Sequence, residues 1–269
     1  PFDAARYARL FEHPWLSDEA RTFLFTERRL DPRVISWCRL TSWTDRQGTH
    51  WLQTPYFDAS GQLIGLQNRN LDYGKQKGDE REETGADNKQ GQGVEGKQEQ
   101  AIDGKQGQAV EGEQGQGSEG KQGQAVEGDG KQGQGSESRE APRFRFPYGS
   151  RCTVYNLPVT AMLRPGEPLF ITEGCSDCWA MLSAGHKAIA IPSATLLSQA
   201  DKALLRDLAQ CLGTSFHMFP DRDAPGERLF MQLREVLPGL QHHQLPVDCK
   251  DFAEYYVSAL AKNKLGGYG

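Results

Sequence analysis

No apolar run in this 269-residue chain approaches the eighteen or so residues that a membrane-spanning helix needs, and no signal peptide opens it. A disulfide framework is excluded as well. Six cysteines (Cys38, Cys152, Cys175, Cys178, Cys211 and Cys249) lie scattered in a chain without secretory marks, so reduced thiols and a cytoplasmic setting are expected. Cys175 and Cys178 form a single C-x-x-C. A tetrahedral zinc site needs two further ligands at suitable spacing, and neither a second C-x-x-C nor an H-x3–5-H is present, so the pair reads as two small buried residues on the first turn of a helix. The histidines give no ligand pattern either: His217 falls mid-strand, and the adjacent His242 and His243 would point to opposite faces of a strand. The absence of Gly-x4-Gly-Lys-[Ser/Thr] excludes a fused P-loop ATPase.

Strong net charge is missing too. The formal total is −5, but between Gly74 and Glu140 nine Lys/Arg oppose fifteen Asp/Glu, a net of −6, which leaves the remainder at +1. Such a balance does not announce nucleic acid, yet it permits a local basic groove. The same stretch, 74–140, lacks Phe, Trp and Tyr and repeats Gly-Lys-Gln-Gly-Gln-Ala-Val-Glu-Gly at 104–112 and 120–128. So little apolar surface cannot offset the entropy of ordering the chain, and a disordered surface insertion is expected.

What surrounds the insertion is regular. Helices are expected over Asp3–Glu12 and over Ser17–Arg28, the latter with Ser17 as N-cap, and Asp31-Pro32 restarts a helix through Val34, Ile35 and Trp37. Two alternating runs, 50–57 and 62–69, flank the turn Asp58-Ala-Ser-Gly61 and indicate a β-hairpin. Arg143-Phe-Arg-Phe146 alternates again, so the insertion joins strands of one sheet, at an entropic cost that grows only logarithmically with its length. From Pro168 the order is strand (169–172), helix (176–184), strand (188–191), helix (195–211), strand (215–219), helix (225–236), a short strand near 243–247 and a helix at 251–262. Alternation of this kind implies βαβ units and a parallel sheet with helices on both faces. The fold class is therefore α/β: a parallel-sheet domain at 168–262, preceded by a small α+β subdomain built from 1–73 and 141–167, and followed by a tail, 263–269.

The chemistry gathers at one edge of that sheet. The apolar strand from Leu169 stops at Glu173-Gly174, the strand from Phe216 stops ahead of Asp221-Arg-Asp223, and Asp251 opens the last helix. Ligands of open parallel sheets bind outside the C-terminal ends of the strands, and converging carboxylate oxygens suit Mg2+ and phosphates. Taken alone, Asp221 and Asp223 read as caps of the helix that starts near Pro225.

The order of these pieces resembles the Toprim domain shared by bacterial primases, type IA and type II topoisomerases and several nucleases. Glu173-Gly-Cys-Ser-Asp177 resembles the primase form E-G-x-x-D, Asp221-Arg-Asp-Ala-Pro-Gly226 resembles D-x-D-x-x-G, and Lys250-Asp-Phe-Ala-Glu-Tyr-Tyr256 resembles K-D-x-x-[DE]-Y. In the N-terminal half, Ala20-Arg-Thr-Phe-Leu24, the run from Arg29 to Trp37 and the hairpin Pro55–Arg69 resemble the opening of a DnaG-type primase core. The likeness covers most of the chain outside the insertion, and compact proteins of this kind are common in phages, plasmids and conjugative elements. Two departures stand out. A zinc-binding domain and a C-terminal helicase-binding domain are not among these residues; the partners expected are a zinc-binding domain supplied upstream or in trans and a replicative helicase.

The resemblance implies a primase-like core that makes short RNA primers from ribonucleoside triphosphates on single-stranded DNA, using Mg2+ or Mn2+. On that basis Asp221, Asp223 and Asp251 would hold one or two ions, with Glu173 a further ligand or the general base. Asp177 would buttress the Glu173 loop or cap its helix. Arg69, Arg143 and Arg145, with Gln67 and Asn68, would face a groove for template and primer; the competing reading is a strand edge kept soluble by charge. Two other functions compete: a metal-dependent Toprim nuclease and a non-catalytic nucleic-acid-binding module of a mobile element. The primase-like hairpin favours synthesis, and the intact Glu173, Asp221 and Asp223 weigh against a scaffold.

Overall fold

Two sheets, one antiparallel and one parallel, share a layer of helices between them. The computed structural model describes residues 1–74, 141–192 and 197–262, all within one unit of the chain. The disorder expected of 74–140 and the tail at 263–269 therefore fall, Gly74 apart, outside the described residues.

Capping chemistry sets the opening helices. In α1 (Ala4–Glu12) the Asp3 side chain accepts from Arg6 N–H, and in α2 (Asp18–Arg21) Ser17 accepts from Ala20 N–H. The chain then widens into π-helical turns over Thr22–Glu27, which sequence periodicity did not foresee. Asp31 caps α3 (Pro32–Trp37), with Pro32 in the first turn, where a missing N–H costs nothing. The antiparallel sheet runs β1 (Thr41–Thr44), β2 (His50–Phe57), β3 (Leu63–Asn70) and β4 (Phe144–Arg145), in that order. Its ladder places Asn68 opposite Arg145 and Arg69 opposite Phe144, so the flanks of the insertion pair as expected.

The parallel part is β5 (Leu169–Glu173), α4 (Gly174–Ser183), β6 (Lys187–Ile191), α5 (Gln199–Leu212), β7 (Phe216–Met218), α6 (Ala224–Val236), β8 (Gln241–His242) and α7 (Phe252–Ala261), with strand order β6-β5-β7-β8. The last strand begins two residues before the expected 243–247. Pairing stops soon after His243, whose N–H reaches Met218 O, and Pro246 has no donor to continue the ladder.

Alternation along the strands sorts the core. Leu169, Ile171, Ile189 and Ile191 point to one face and pack with Leu205, Leu229 and Leu233 of α5 and α6. Phe170, Ala188 and Ala190 point to the other and pack with Trp179 of α4 and with Phe252 and Tyr256 of α7, in a cluster that continues into Leu52 and Tyr56 of the antiparallel sheet. The two alanines leave room for the Trp179 indole, whose N–H donates to Tyr155 Oη at 3.0 Å. An indole of this kind withdraws roughly 200 Å² from water, about 5 kcal/mol as an upper bound. Cys175 and Cys178 lie in the same seam, the first beside Tyr56 Oη at 3.2 Å and the second donating to Ala188 O. Burial pushes the Cys175 thiol up to about 12, so it stays protonated and packs as a small apolar group.

Candidate active site

Each carboxylate at the C-terminal edge of the parallel sheet is placed by a local backbone device. Glu173 ends β5, and Gly174, at φ 77°, makes the turn into α4 that a side chain there would strain. Although Glu173 occupies the N-cap position, it caps nothing, and its Oε2 is buried without a hydrogen-bond partner among the described residues. Asp221 and Asp223 leave β7 in a loop clamped by Arg222, whose N–H donates to Lys250 O at 2.7 Å and whose guanidinium donates to Leu245 O. Asp223 Oδ1 accepts from Gly226 N–H at 2.9 Å and so caps α6. A Cβ on Gly226 would stand 2.5 Å from Asp221 O, which is why this turn of helix can sit against the Asp221 backbone only as glycine. Asp251 caps α7 through Glu254 N–H at 2.8 Å. Asp177, buried on α4, accepts from Ala253 N–H at 2.8 Å and thereby ties α4 to the first turn of α7.

These groups line a pocket of about 430 Å³, and Arg28, Arg69 and Arg143 line it with them. The acidic side carries an unrelieved charge conflict. Burial, then the charges of Asp177, Glu173, Asp251 and Asp223, push Asp221 up to about 8, and no donor among the described residues reaches its carboxylate. Burial followed by Asp251 raises Asp177 to about 7, and burial followed by Asp223 raises Glu173. One cation stands close: Lys250 Nζ lies 3.5 Å from Asp223 Oδ2.

On the basic side Asp177 acts on Arg69 and Arg28 on Asp177, without a direct ion pair. Arg69 rests over the rings of Phe23 (5.0 Å) and Phe144 (5.8 Å), with Nη1 3.4 Å from Ser176 Oγ. Burial, with Arg143 and Arg28 nearby, lowers it to about 10, still cationic at neutral pH. Among the described residues none of Arg28, Arg69 and Arg143 has a carboxylate within ion-pair distance.

No family model and no curated protein matches the sequence. Solved structures do match the fold. The primase fragment of the bacteriophage T7 primase-helicase protein superposes with a TM-score of 0.52 over 89% of this chain and 71% of that one, at 10% identity. The RNA polymerase domain of Mycobacterium tuberculosis primase DnaG, in complex with double-stranded DNA, gives 0.53 over 97% of this chain and 76% of that one, at 14% identity. Primase domains of T7 gp4, bound to an RNA/DNA hybrid and dTTP, give 0.50 at 11% identity, over 89% of this chain and 87% of that one. The fold is that of a primase catalytic core.

Within this primase-core fold, Glu173, Asp221, Asp223, Asp251, Arg69 and Arg143 of the residues singled out by sequence come to one pocket, and Gln67 joins them. Arg145 does not. The chain bends at Arg143, and the strand alternation that begins at Phe144 turns Arg145 to the far face, over the Trp51 ring at 4.4 Å and beside Asp45 at 3.4 Å. Asn68 faces that way too, accepting from Trp43 Nε1 and Gln53 Nε2. Sequence reasoning missed Arg28 and gave Lys250 no role. Arg28 is delivered by the π-helical turn, where its N–H bonds Phe23 O five residues back and its guanidinium lies over the Phe23 ring at 5.4 Å.

The donor set fits a hard divalent cation. All of its oxygens are carboxylate, as Mg2+ and Mn2+ prefer, and it includes the orphaned buried Oε2 of Glu173 and a carboxylate at Asp221 crowded by like charges. Among the described residues no three such side chains close on a single point; they line the pocket.

Proposed function

We propose that this pocket is the active centre of a primase-type nucleotidyltransferase, which joins ribonucleoside triphosphates into short RNA on a single-stranded DNA template. The observation that carries the reading is the meeting of charges in one pocket: carboxylates raised in pKa by burial and then by one another share it with three arginines that have no ion-pair partner among the described residues, on the fold of primase cores.

Nucleotidyl transfer asks a protein for position and charge neutralisation more than for covalent work. Arg28, Arg69 and Arg143 hold phosphates of the incoming nucleotide and of the strand, and Arg69 is kept in place by Phe23, Phe144 and Ser176. Glu173, Asp221, Asp223 and Asp251 would hold Mg2+ or Mn2+. When bound, the metal supplies neutralisation of the departing pyrophosphate and lowers the pKa of the attacking hydroxyl. Asp177 keeps the Asp251 helix seated, and Glu173 serves as a ligand or as the acceptor of the hydroxyl proton. A replicative helicase and a zinc-binding domain are the partners this reading calls for, supplied from outside the described residues.

Primer synthesis on single-stranded DNA with labelled ribonucleotides and Mg2+ or Mn2+ tests the reading, with Asp221→Asn/Asp223→Asn as the control and a zinc-binding domain added in trans as a second arm. Short products lost in the variant support it. Metal-dependent degradation of the template, absent from the variant, replaces it with a nuclease. Mn2+ binding that does not differ between wild type and variant, with no product in either arm, leaves a binding module.

A further inference from the structure

Among the described residues a single ion pair involves an acid of the pocket, and it joins Lys250 Nζ to Asp223 Oδ2. Its place matters more than its strength, since the Lys250 side chain is 60% exposed and a pair so open to water holds weakly. Asp223 has committed Oδ1 to Gly226 N–H, so Oδ2 is the oxygen it has left for a metal, and the ammonium stands beside that oxygen. The same charge opposes the rise that burial and Asp223 impose on Glu173. Arg222, between the two aspartates, does not compete for the position, because its guanidinium is turned to Leu245 O.

The backbone of Lys250 is fastened on both sides. Its N–H donates to Glu254 Oε2 at 2.7 Å, and its carbonyl accepts from Arg222 N–H at 2.7 Å. The residue is therefore held against the Asp221–Asp223 loop, while the four-carbon stem lets the ammonium swing without disturbing the fold. Resting on the function proposed above, we propose that Lys250 is a placeholder for the divalent cation: its ammonium holds Asp223 Oδ2 in the metal-free protein and gives that oxygen up when Mg2+ or Mn2+ arrives. The exchange runs forward because a dication shares the oxygens of several acids at once, whereas the ammonium reaches one and leaves Asp221 in conflict with its neighbours. Lys250 is thus a positioning residue that sets the metal concentration at which the pocket loads.

The test compares Mn2+ binding, followed by electron paramagnetic resonance of the free ion, in the wild type, Lys250→Met and Arg143→Met. The stem and both backbone bonds survive in Lys250→Met, so folding is expected to hold. Removing the ammonium should tighten Mn2+ binding about three- to tenfold. Arg143→Met deletes an exposed cation of the same pocket that makes no ion pair among the described residues, and should change the affinity less than about twofold. A second measurement needs no variant. When lysine amines are acylated and the products read by mass spectrometry, Lys250 should react several-fold faster once Mg2+ is added, while Lys262, paired with Asp248, should keep its rate. Mn2+ affinity in Lys250→Met equal to or weaker than that of the wild type, equal tightening in both variants, or a Lys250 acylation rate that Mg2+ leaves unchanged would overturn the placeholder, and the active-centre reading would stand so long as the wild type binds Mn2+. A wild type that binds no Mn2+ in the millimolar range would overturn both.

Discussion

Two parts of the parallel sheet place ionisable side chains out of water, and they handle the cost in opposite ways. Along its β7–β8 flank, His217 Nδ1 lies 2.8 Å from His243 Nε2, Ser215 Oγ lies 2.8 Å from His217 Nε2, and the rings of His186 and His217 rest against Phe170. Burial holds all three histidines below their ordinary pKa, with His243 adding to the effect on His217 and His242 to that on His243; as neutral rings His217 and His243 are satisfied by one another. At the carboxylate edge Asp177, Asp223 and Asp251 each accept a backbone N–H, but among the described residues Glu173 Oε2 has no partner and no donor reaches Asp221, while all five acids share one pocket. The histidine flank settles its electrostatics within the fold, whereas the carboxylate edge leaves Glu173 Oε2 and the Asp221 carboxylate without a donor among the described residues.

The contrast can be broken at its strongest point. Asp221→Asn should reduce nucleotide incorporation by on the order of a thousandfold, while the thermal midpoint of the metal-free protein holds or rises, because one of the crowded charges is gone. A variant that loses stability and activity together would mean that Asp221 is a structural acid. Gly226→Ala attacks the same edge through the backbone. The added methyl meets Asp221 O, so about 1–3 kcal/mol of stability should disappear in urea titration, and incorporation should fall with it.

A pH series sharpens the comparison. Asp177 and Asp221 rise from 3.8 to about 7 and about 8 on folding, so their protonated forms are favoured in the native state. Their contribution is fully present below the unfolded value and is lost as pH rises through the folded values. Between pH 6.5 and 8 the metal-free protein should therefore become less stable, and Mn2+ or Asp221→Asn should flatten the trend in thermal midpoint. The histidines run the other way. Their folded pKa values are depressed, so the stability they give is present above the model-peptide value of 6.5 and is lost as pH falls through the folded values. His217→Asn should soften that acid limb, cost about 0.5–1.5 kcal/mol at neutral pH and leave incorporation unchanged, the smallest of these effects.

Much of this was legible beforehand because strand alternation, caps and glycines are local. Asp3, Ser17, Asp31 and Asp251 announce helix starts and cap them, and the hairpin from His50 to Arg69 announces itself by its turn. Asp223 illustrates how a cap and a candidate ligand can be one residue: Oδ1 holds Gly226 N–H while Oδ2 faces Lys250. Other features depend on contacts far away in sequence. β1 is four largely polar residues, a strand chiefly because Trp43 and Ser42 find Trp51 and Leu52 across the ladder. Arg28 reaches the pocket through a π-helical turn that no periodicity encodes, and Asp177 serves a helix that begins seventy-five residues later. Arg145 falls on the other face from Arg143 because the strand begins one residue on, at Phe144.

The ladder between β3 and β4 has a practical corollary. Asn70 N–H donates to Arg143 O and Asn70 Nδ2 donates to Ala141 O, while Leu71 N–H donates to His50 O. The two chain ends that bracket residues 75–140 are thus riveted to the sheet on the domain side of the junction, and the spacing of Arg69 and Arg143 is set by those rivets. For protein engineering these bonds mark a junction: on its domain side Asn70 holds Ala141 and Arg143, and with them the register of Arg69 and Arg143.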